Sequence, residues 1–310
     1  MIRTTLLAAT LLTVVSAQYA DAQTYKFKTV KDAGMNTSMH DINDSNVGVG
    51  GVFEQGATVR PCIVVKGKNI TTLSDPNAVN GTECWGISSN GIIVGDYFDV
   101  NLNAVGYIYS NGTFTDIVPP KSTYTVVYGV NASGVAIGYY LDSKGDQYGF
   151  LFDGTKYTKI KIKGGTTVEG FGINDAGNYT VEAILSDGFE HSYLYSGKTK
   201  TEIVFPNIQQ VAAHHINNNG QISATIIDSN DVYYAGVYDP NANAYYQISD
   251  PKGTITIGDG INDSETLVGR YQDADDNSFG YIAKGKLDLM SQTPHASGHA
   301  PRSMKGTATY

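Results

Sequence analysis

His40, Trp85, Tyr128, Phe171, His214 and Asp259 stand at equivalent places in six copies of one short pattern. They are residue types that handle sugars. Aromatic rings stack on the C–H face of a sugar, and imidazole, carboxylate and amide groups take its hydroxyls. Glu83, Glu169 and His215 lie within two residues of those places. Carboxylates with a nearby imidazole also suit glycoside cleavage, which needs a nucleophile and a base, or two carboxylates roughly 5–10 Å apart. The chain has no Gly-x-Ser-x-Gly in a helical context, no His-Glu-x-x-His and no phosphate-binding glycine loop. The sequence therefore assigns no catalytic residue, and it favours a binding role over an enzymatic one.

The same side chains have a packing reading. Each lies two places before an Ile or Val and points to the same side of its strand. Trp85, Tyr128 and Phe171 would suit a core. His40, His214 and Asp259 fit a core poorly, because buried polar groups need partners.

A second set of groups could hold calcium, which takes six to eight oxygen ligands. Acidic and amide residues cluster in short loops, among them Asp99, Asn101, Asn103, Asp142, Asp146, Asp187, Glu190, Asp228 and Asp231. The densest run is Asp273-Ala274-Asp275-Asp276-Asn277, with Asp273, Asp275 and Asn277 as candidate ligands. It lacks the glycine at position six and the glutamate at twelve of an EF-hand. Asp and Asn are also ordinary turn formers. The two cysteines, Cys62 and Cys84, are expected to form a structural disulfide in an oxidising compartment.

These groups need a frame, and the repeat supplies one. The anchors are Asp41-Ile42-Asn43, Gly86-Ile87-Ser88, Gly129-Val130-Asn131, Gly172-Ile173-Asn174, His215-Ile216-Asn217 and Gly260-Ile261-Asn262, spaced 45, 43, 43, 43 and 45 residues apart. Between anchors run short β-branched and aromatic segments separated by turn residues, four per copy. Such a period marks a propeller or another β-repeat array. The expected fold is all-β: a six-bladed β-propeller of four-stranded antiparallel blades. Four places past the anchor centre stand Asn46, Gly91, Gly134, Gly177, Gly220 and Glu265. Five of these six tolerate a left-handed turn, so Glu265 predicts a different turn in the last copy. Tyr109, Phe152, Tyr195 and Tyr238 recur in the third strand and are expected to fill the gaps between blades. The segment Tyr25–Val30 is expected to pair beside Phe279–Ala283 and close the ring, with Lys286–Met290 as a competing strand.

The ends set the domain plan. Arg3, the apolar stretch Thr4–Ala17 and the small-x-small site Ala20-Asp21-Ala22 read as a secretory signal over 1–22, with Val15-Ser16-Ala17 as a second cleavage option. Residues 23–290 form the repeat domain, and 291–310, with His295 and His299, read as a disordered tail. No later stretch is long and apolar enough for a membrane span. The net charge of −9 argues against nucleic acid and anionic membranes as partners. Secretion to the periplasm, cell surface or medium follows.

At the anchors and the strands after them, the chain resembles the bacterial HAF-type extracellular repeat proteins. Their repeats read approximately G-I-N-x-x-G-x-I-V-G-x-Y, followed by G/H-A-F-L-Y. Gly86–Tyr97 with Gly106-Tyr107-Ile108-Tyr109 matches well, as do Gly129–Tyr140 with Gly149-Phe150-Leu151-Phe152, and His191-Ser192-Tyr193-Leu194-Tyr195. The resemblance covers nearly all of residues 25–290. It implies export and a repeat β fold, and it carries over no functional residue.

Alternating strands would give the disc two faces. Loops entering the first strand, and those between the second and third, share an entry face, where the acidic loops and the rings at the channel mouth lie. Turns between strands one and two, and three and four, share a turn face. That face carries Lys66, Lys68, Lys156, Lys198, Lys200, Lys284 and Lys286, partly offset by Asp44, Asp175 and Asp263. A glycan or an extracellular protein meeting the entry face is the expected partner.

Overall fold

The computed structural model describes residues 18–21, 25–32, 35–53, 61–204 and 208–287. The elements found among them are twenty-five strands. Blade 1 holds β3 (Asn36–Ile42), β4 (Val47–Phe53), β5 (Cys62–Lys66) and β6 (Asn69–Thr72). Blade 2 holds β7 (Thr82–Ile87), β8 (Ile93–Phe98), β9 (Ala104–Ser110) and β10 (Thr113–Ile117). Blade 3 runs through β11 (Ser122–Val130), β12 (Ala136–Asp142), β13 (Gln147–Phe152) and β14 (Tyr157–Ile160). Blade 4 has β15 (Thr167–Ile173), β16 (Tyr179–Ile184), β17 (Glu190–Ser196) and β18 (Thr199–Glu202). Blade 5 has β19 (Ile208–Ile216), β20 (Ile222–Asp228), β21 (Tyr233–Asp239) and β22 (Ala244–Ile248). Blade 6 combines β23 (Ile255–Ile261), β24 (Leu267–Gln272) and β25 (Ser278–Lys284) with β2 (Lys26–Thr29).

The expected six-bladed propeller and its closure are thus both present. β2 lies antiparallel to β25, with Phe27 opposite Ala283 and Thr29 opposite Tyr281. The blade is then tied to its neighbour: Ser278 N donates to Asn36 Oδ1 at 3.0 Å, and Gly280 N to Thr37 Oγ1 at 2.8 Å. β1 (Gln18–Asp21), inside the segment read as a signal, runs parallel along β22 and takes no part in this closure. Residues 285–287 form no strand, and 288–310, with the remainder of the proposed competing strand and the tail, lie outside the described residues.

Apolar side chains are packed between blades. Cys62 and Val49 of blade 1 meet Cys84, Ile87 and Ile93 of blade 2, and comparable clusters occupy each of the other five interfaces. Burial of each such side chain contributes about 1.5–3 kcal/mol. The third-strand rings contribute unequally. Tyr107, Phe150, Tyr193 and Tyr281 are buried, whereas Tyr109, Phe152, Tyr195 and Tyr238, the rings expected to fill the gaps, are half-exposed at the cluster edges. The buried tyrosines keep a partner: Tyr107 OH donates to Glu83 O and Tyr281 OH to Ile257 O, each at 2.9 Å.

The turn after each first strand is uniform, which corrects the expectation for Glu265. Its φ is 61°, beside 78° at Gly134 and 83° at Gly220, and its N–H closes the same turn onto Asn262 O at 2.9 Å. A left-handed glutamate is costly, but this side chain is anchored. Glu265 Oε1 accepts from Gln221 Nε2 at 3.1 Å and Oε2 from Leu287 N at 3.2 Å. Its carbonyl accepts from Tyr25 OH at 2.9 Å. The exceptional residue therefore holds both ends of the repeat domain.

Cys62 of β5 and Cys84 of β7 are bonded across the blade 1–blade 2 interface, with a Cα–Cα distance of 5.1 Å and a sequence separation of 22. The paired substitution Cys62→Ala/Cys84→Ala is expected to lower stability by about 3 kcal/mol from loop entropy. In a domain of this size that is a fall in Tm of roughly 6–12 °C. Calorimetry of the oxidised, reduced and substituted proteins checks it; an unchanged Tm would refute a structural role.

Candidate functional site

Each first strand carries a bulge just before its anchor, at Met39/Asp41, Cys84/Gly86, Val127/Gly129, Gly170/Ile173, Ala213/Ile216 and Gly258/Gly260. There the backbones of adjacent blades approach closely. A Cβ on Gly129 would sit 2.3 Å from Phe171 O, and one on Gly86 2.4 Å from Tyr128 O. Two copies carry side chains instead. Asp41 and His215 reach each other, with Nδ1 3.4 Å from Oδ2. Asp41 also accepts from Ile42 N at 2.8 Å and Ile87 N at 2.9 Å. Burial pushes its carboxyl upward, and the imidazole and the two N–H groups oppose this. The pair lies between two small cavities of the channel, and His215 borders both.

The turn-face cavity, of about 50 Å³, is walled by the anchors and by Asp44, Asp175 and Asp263. The lysines of this face are exposed, and the three carboxylates expected to offset them gather at its axis. Their oxygens accept neighbouring backbone N–H groups: Asp263 N donates to Asp44 at 2.8 Å, Ala132 N to Asp175 at 2.7 Å and Asn218 N to Asp263 at 2.7 Å.

The entry-face cavity, of about 30 Å³, brings together His40, Trp85, Tyr128, Phe171, His214 and Asp259, as the repeat implied, with His215 and Arg270. It has room for ordered water but not for a sugar ring. The rings fill the axis. His40 stacks on Trp85 at 4.3 Å, Tyr128 on Phe171 at 4.6 Å, and Phe171 meets His214 edge-on at 5.3 Å. The packing reading therefore holds for Tyr128 and Phe171, which belong to one core cluster. His40 is buried too: its Nδ1 is 2.7 Å from Cys84 O and its Nε2 2.8 Å from Ser38 Oγ. A carbonyl only accepts, so Nδ1 carries the proton and the serine hydroxyl donates to Nε2. Burial, with His215 and Arg270 nearby, lowers His214 to about 3, so it stays neutral. Asp259 is also buried.

The accessible chemistry lies one step further out. Glu83 and Asp96 face each other across β7 and β8, and Glu169 and Glu182 across β15 and β16. Between these two carboxylate pairs, blade 3 offers Tyr139, opposite Val126, and Tyr124. Tyr139 contacts Tyr124 at 6.3 Å and Tyr128 at 5.8 Å. Trp85 Nε1 donates to Asp96 Oδ1 at 2.8 Å, and Gln147 Nε2 to Glu169 Oε1 at 2.6 Å. Trp85, Tyr124, Tyr139, Gln147, Glu169, Glu190 and Gln210 are half-exposed. The result is a tier in which half-exposed tyrosines stand between two carboxylate pairs. Burial pushes Glu169 up to about 7, Gln147 opposing and Glu190 reinforcing the shift. Burial likewise raises Glu182, aided by Glu190, and Asp96, aided by Glu83.

Nine places after each anchor centre stand Gly51, Asp96, Tyr139, Glu182, Thr225 and Arg270, which differ in all six copies. This position falls between the repeated Gly and Tyr of the motif. Asp96, Tyr139, Glu182 and Arg270 were not singled out from sequence. The repeat period marks their place; their shared tier appears only once the second strands are paired.

The exposed large hydrophobics share this face. Val79, Val118 and Val204 lie in connections between blades, Val100, Leu102 and Phe189 in loops between second and third strands, and Ile184 at the end of β16. The acidic loops have a structural task. Asp99, Asp142, Asp228 and Asp273 accept N–H groups two and four residues on, within 2.8–3.1 Å. Asp273 also accepts from Asn277 Nδ2. Asp275 and Asn277 thus lie in a self-closed turn. Among the described residues no set of three His, Cys, Asp or Glu side chains is placed to hold a metal ion.

No family model matches the sequence, and no curated protein matches it. Solved structures do resemble its fold. A putative TolB from Agrobacterium tumefaciens superposes with a TM-score of 0.57 at 11% identity, covering 86% of this chain and 98% of that one. TolB from Acinetobacter baumannii gives 0.51 at 11%, over 83% and 66%. A variant of the Aleuria aurantia lectin in complex with Fucα1-6GlcNAc gives 0.50 at 13%, over 85% and 98%. At these identities the likeness is one of fold.

Glu169 gives a pH test. Its folded pKa lies above the unfolded value, so the folded state holds the proton longer and its contribution to stability is lost as pH rises from about 4.5 through 7. His214 acts oppositely, favouring the folded state as pH rises from about 3 towards 6.5. The two are separated by difference. Glu169→Gln should gain in Tm relative to the parent between pH 5 and 8; a pH-independent difference would contradict the assignment.

Proposed function

We propose that the protein is a secreted or surface-associated binding module of the HAF-repeat kind, and that its entry face holds a glycan. The carrying observation is the half-exposed Trp85, Tyr124 and Tyr139 set beside carboxylate and amide groups. Such rings cover sugar C–H faces while oxygens and amides order the hydroxyls. The exposed apolar side chains on the same face give a surface for a larger ligand. The interblade disulfide fits an oxidising compartment. One structural neighbour is a lectin seen in complex with Fucα1-6GlcNAc, which supports the glycan reading.

The axial residues His40, His214 and Asp259 then support the floor of the site, and the outer tier makes the contact. A second reading, a hydrolase or lyase on extracellular carbohydrate, is favoured by one feature: burial pushes Glu169 up to about 7 beside the raised Glu182, in the range that suits a general acid.

A glycan array probed with metal-depleted and calcium-supplemented protein tests the binding reading. Binding should occur, and Tyr139→Ala should weaken it about tenfold or more, the loss of roughly 1.4 kcal/mol. Silence under both conditions removes the glycan. Incubating any bound glycan with the parent and Glu169→Gln proteins tests the second reading: cleavage by the parent alone establishes it, and an intact glycan dismisses it.

A further inference from the structure

Among the described residues, blade 5 alone has a fifth strand. Its sheet runs β1-β22-β21-β20-β19, whereas the other five sheets end at a fourth strand. β1 pairs in parallel with β22, with Gln18 opposite Ala244, Tyr19 opposite Tyr245, Ala20 opposite Tyr246 and Asp21 opposite Gln247. The strand beneath it shows why a cover is needed. An open sheet edge offers unpaired N–H and C=O groups to any extended chain, and a charge, above all a lysine, is the usual guard. The outer strands elsewhere have that guard. Lys68 stands directly before β6, Asp116 lies in β10, Lys159 in β14, Lys200 and Glu202 in β18, and Lys26 and Lys28 in β2. β22 reads Ala244-Tyr245-Tyr246-Gln247-Ile248, flanked by Asn243 and Ser249, and carries no charge. Its tyrosines and isoleucine are strand formers.

β1 lies wholly between the two small-x-small sites of the leader. Cleavage after Ala22 would remove all of it, and cleavage after Ala17 would keep all of it. We infer that the outer edge of β22 is a strand-binding site, that Gln18–Asp21 occupies it in the exported protein, and that the leader is therefore cut at the Ala17–Gln18 bond. The cut is a hydrolysis by a signal peptidase: water adds across the amide, leaving a carboxyl on Ala17 and an amine on Gln18. This rests on the export part of the proposed function and is independent of the glycan. The two possible products differ in one respect. A chain beginning at Gln18 brings its own cover, a short strand that contains Asp21. A chain beginning at Gln23 keeps β2 and the closed ring, and it leaves the β22 edge open to a strand of another chain.

Mass spectrometry of the N-terminal peptide, on protein exported from its own full-length chain, reads the cut. The expected start is Gln18-Tyr19-Ala20-Asp21. A start at Gln23-Thr24-Tyr25-Lys26 would overturn the inference and keep export, and an uncut Met1 would overturn export with it. Ala22→Arg should leave the cut in place, whereas Ala17→Arg should move it to Ala22. The Ala17→Arg product is then the open-edged protein. Its Ala244–Ile248 amides should exchange with deuterium about tenfold faster or more than those of the parent. Should Ala17→Arg block export, deletion of residues 18–22 joins the leader to Gln23 and makes the same comparison. Equal exchange in the covered and open forms would overturn β1 as the occupant of the edge.

Discussion

Six first strands converge on one axis, and the molecule depends on how closely their backbones meet there. Four of the six bulge positions are glycines, because a Cβ would strike the next blade's backbone. Only Asp41 and His215 project side chains at that level, and they find each other. The axis is consequently closed at its waist by the Asp41–His215 contact and above it by stacked rings. Neither channel cavity is large enough for a sugar. A ligand the size of a sugar would have to sit outside the plugged tier.

Much of this was legible in the sequence. The anchor period gave the blade number, Tyr25–Val30 declared itself as the closing strand, and the pattern placed His40, Trp85, Tyr128, Phe171, His214 and Asp259 in one ring. These inferences succeeded because turns and bulges recur and are tied to residue type. The role of that ring was harder to read. His40 seemed ill-suited to burial, yet a carbonyl and a serine hydroxyl from two blades satisfy both its nitrogens. Partners brought in from other strands are invisible in a linear pattern. Asp96 and Glu182 were missed for a related reason: they become a site only when set opposite Glu83 and Glu169.

Glu265 shows how a rule based on residue type can fail locally. Glycine is preferred in a left-handed turn because it pays no steric penalty. A glutamate is tolerated where its side chain is held by Gln221 and Leu287 and its carbonyl by Tyr25. The loops on the entry face show the reverse. Their Asp and Asn residues suggested metal ligands, and at Asp99, Asp142, Asp228 and Asp273 one carboxylate oxygen is engaged by the loop's own backbone.

On the turn face, each anchor asparagine hands its amide to the next blade. Asn131 reaches Asn174 O, Asn174 reaches Asn217 O, Asn217 reaches Asn262 O, Asn262 reaches Asn43 O and Asn43 reaches Ser88 O, within 3.0–3.3 Å. Serine has no amide to pass on, and Ser88 Oγ turns back to Asn90 instead, at 2.6 Å. The belt is thus unbuckled between blades 2 and 3, where the exposed Asn90 makes a substitute bond to Ala132 O at 3.0 Å. There the link runs through an exposed side chain, where water competes for the amide as it cannot at the five buried asparagines.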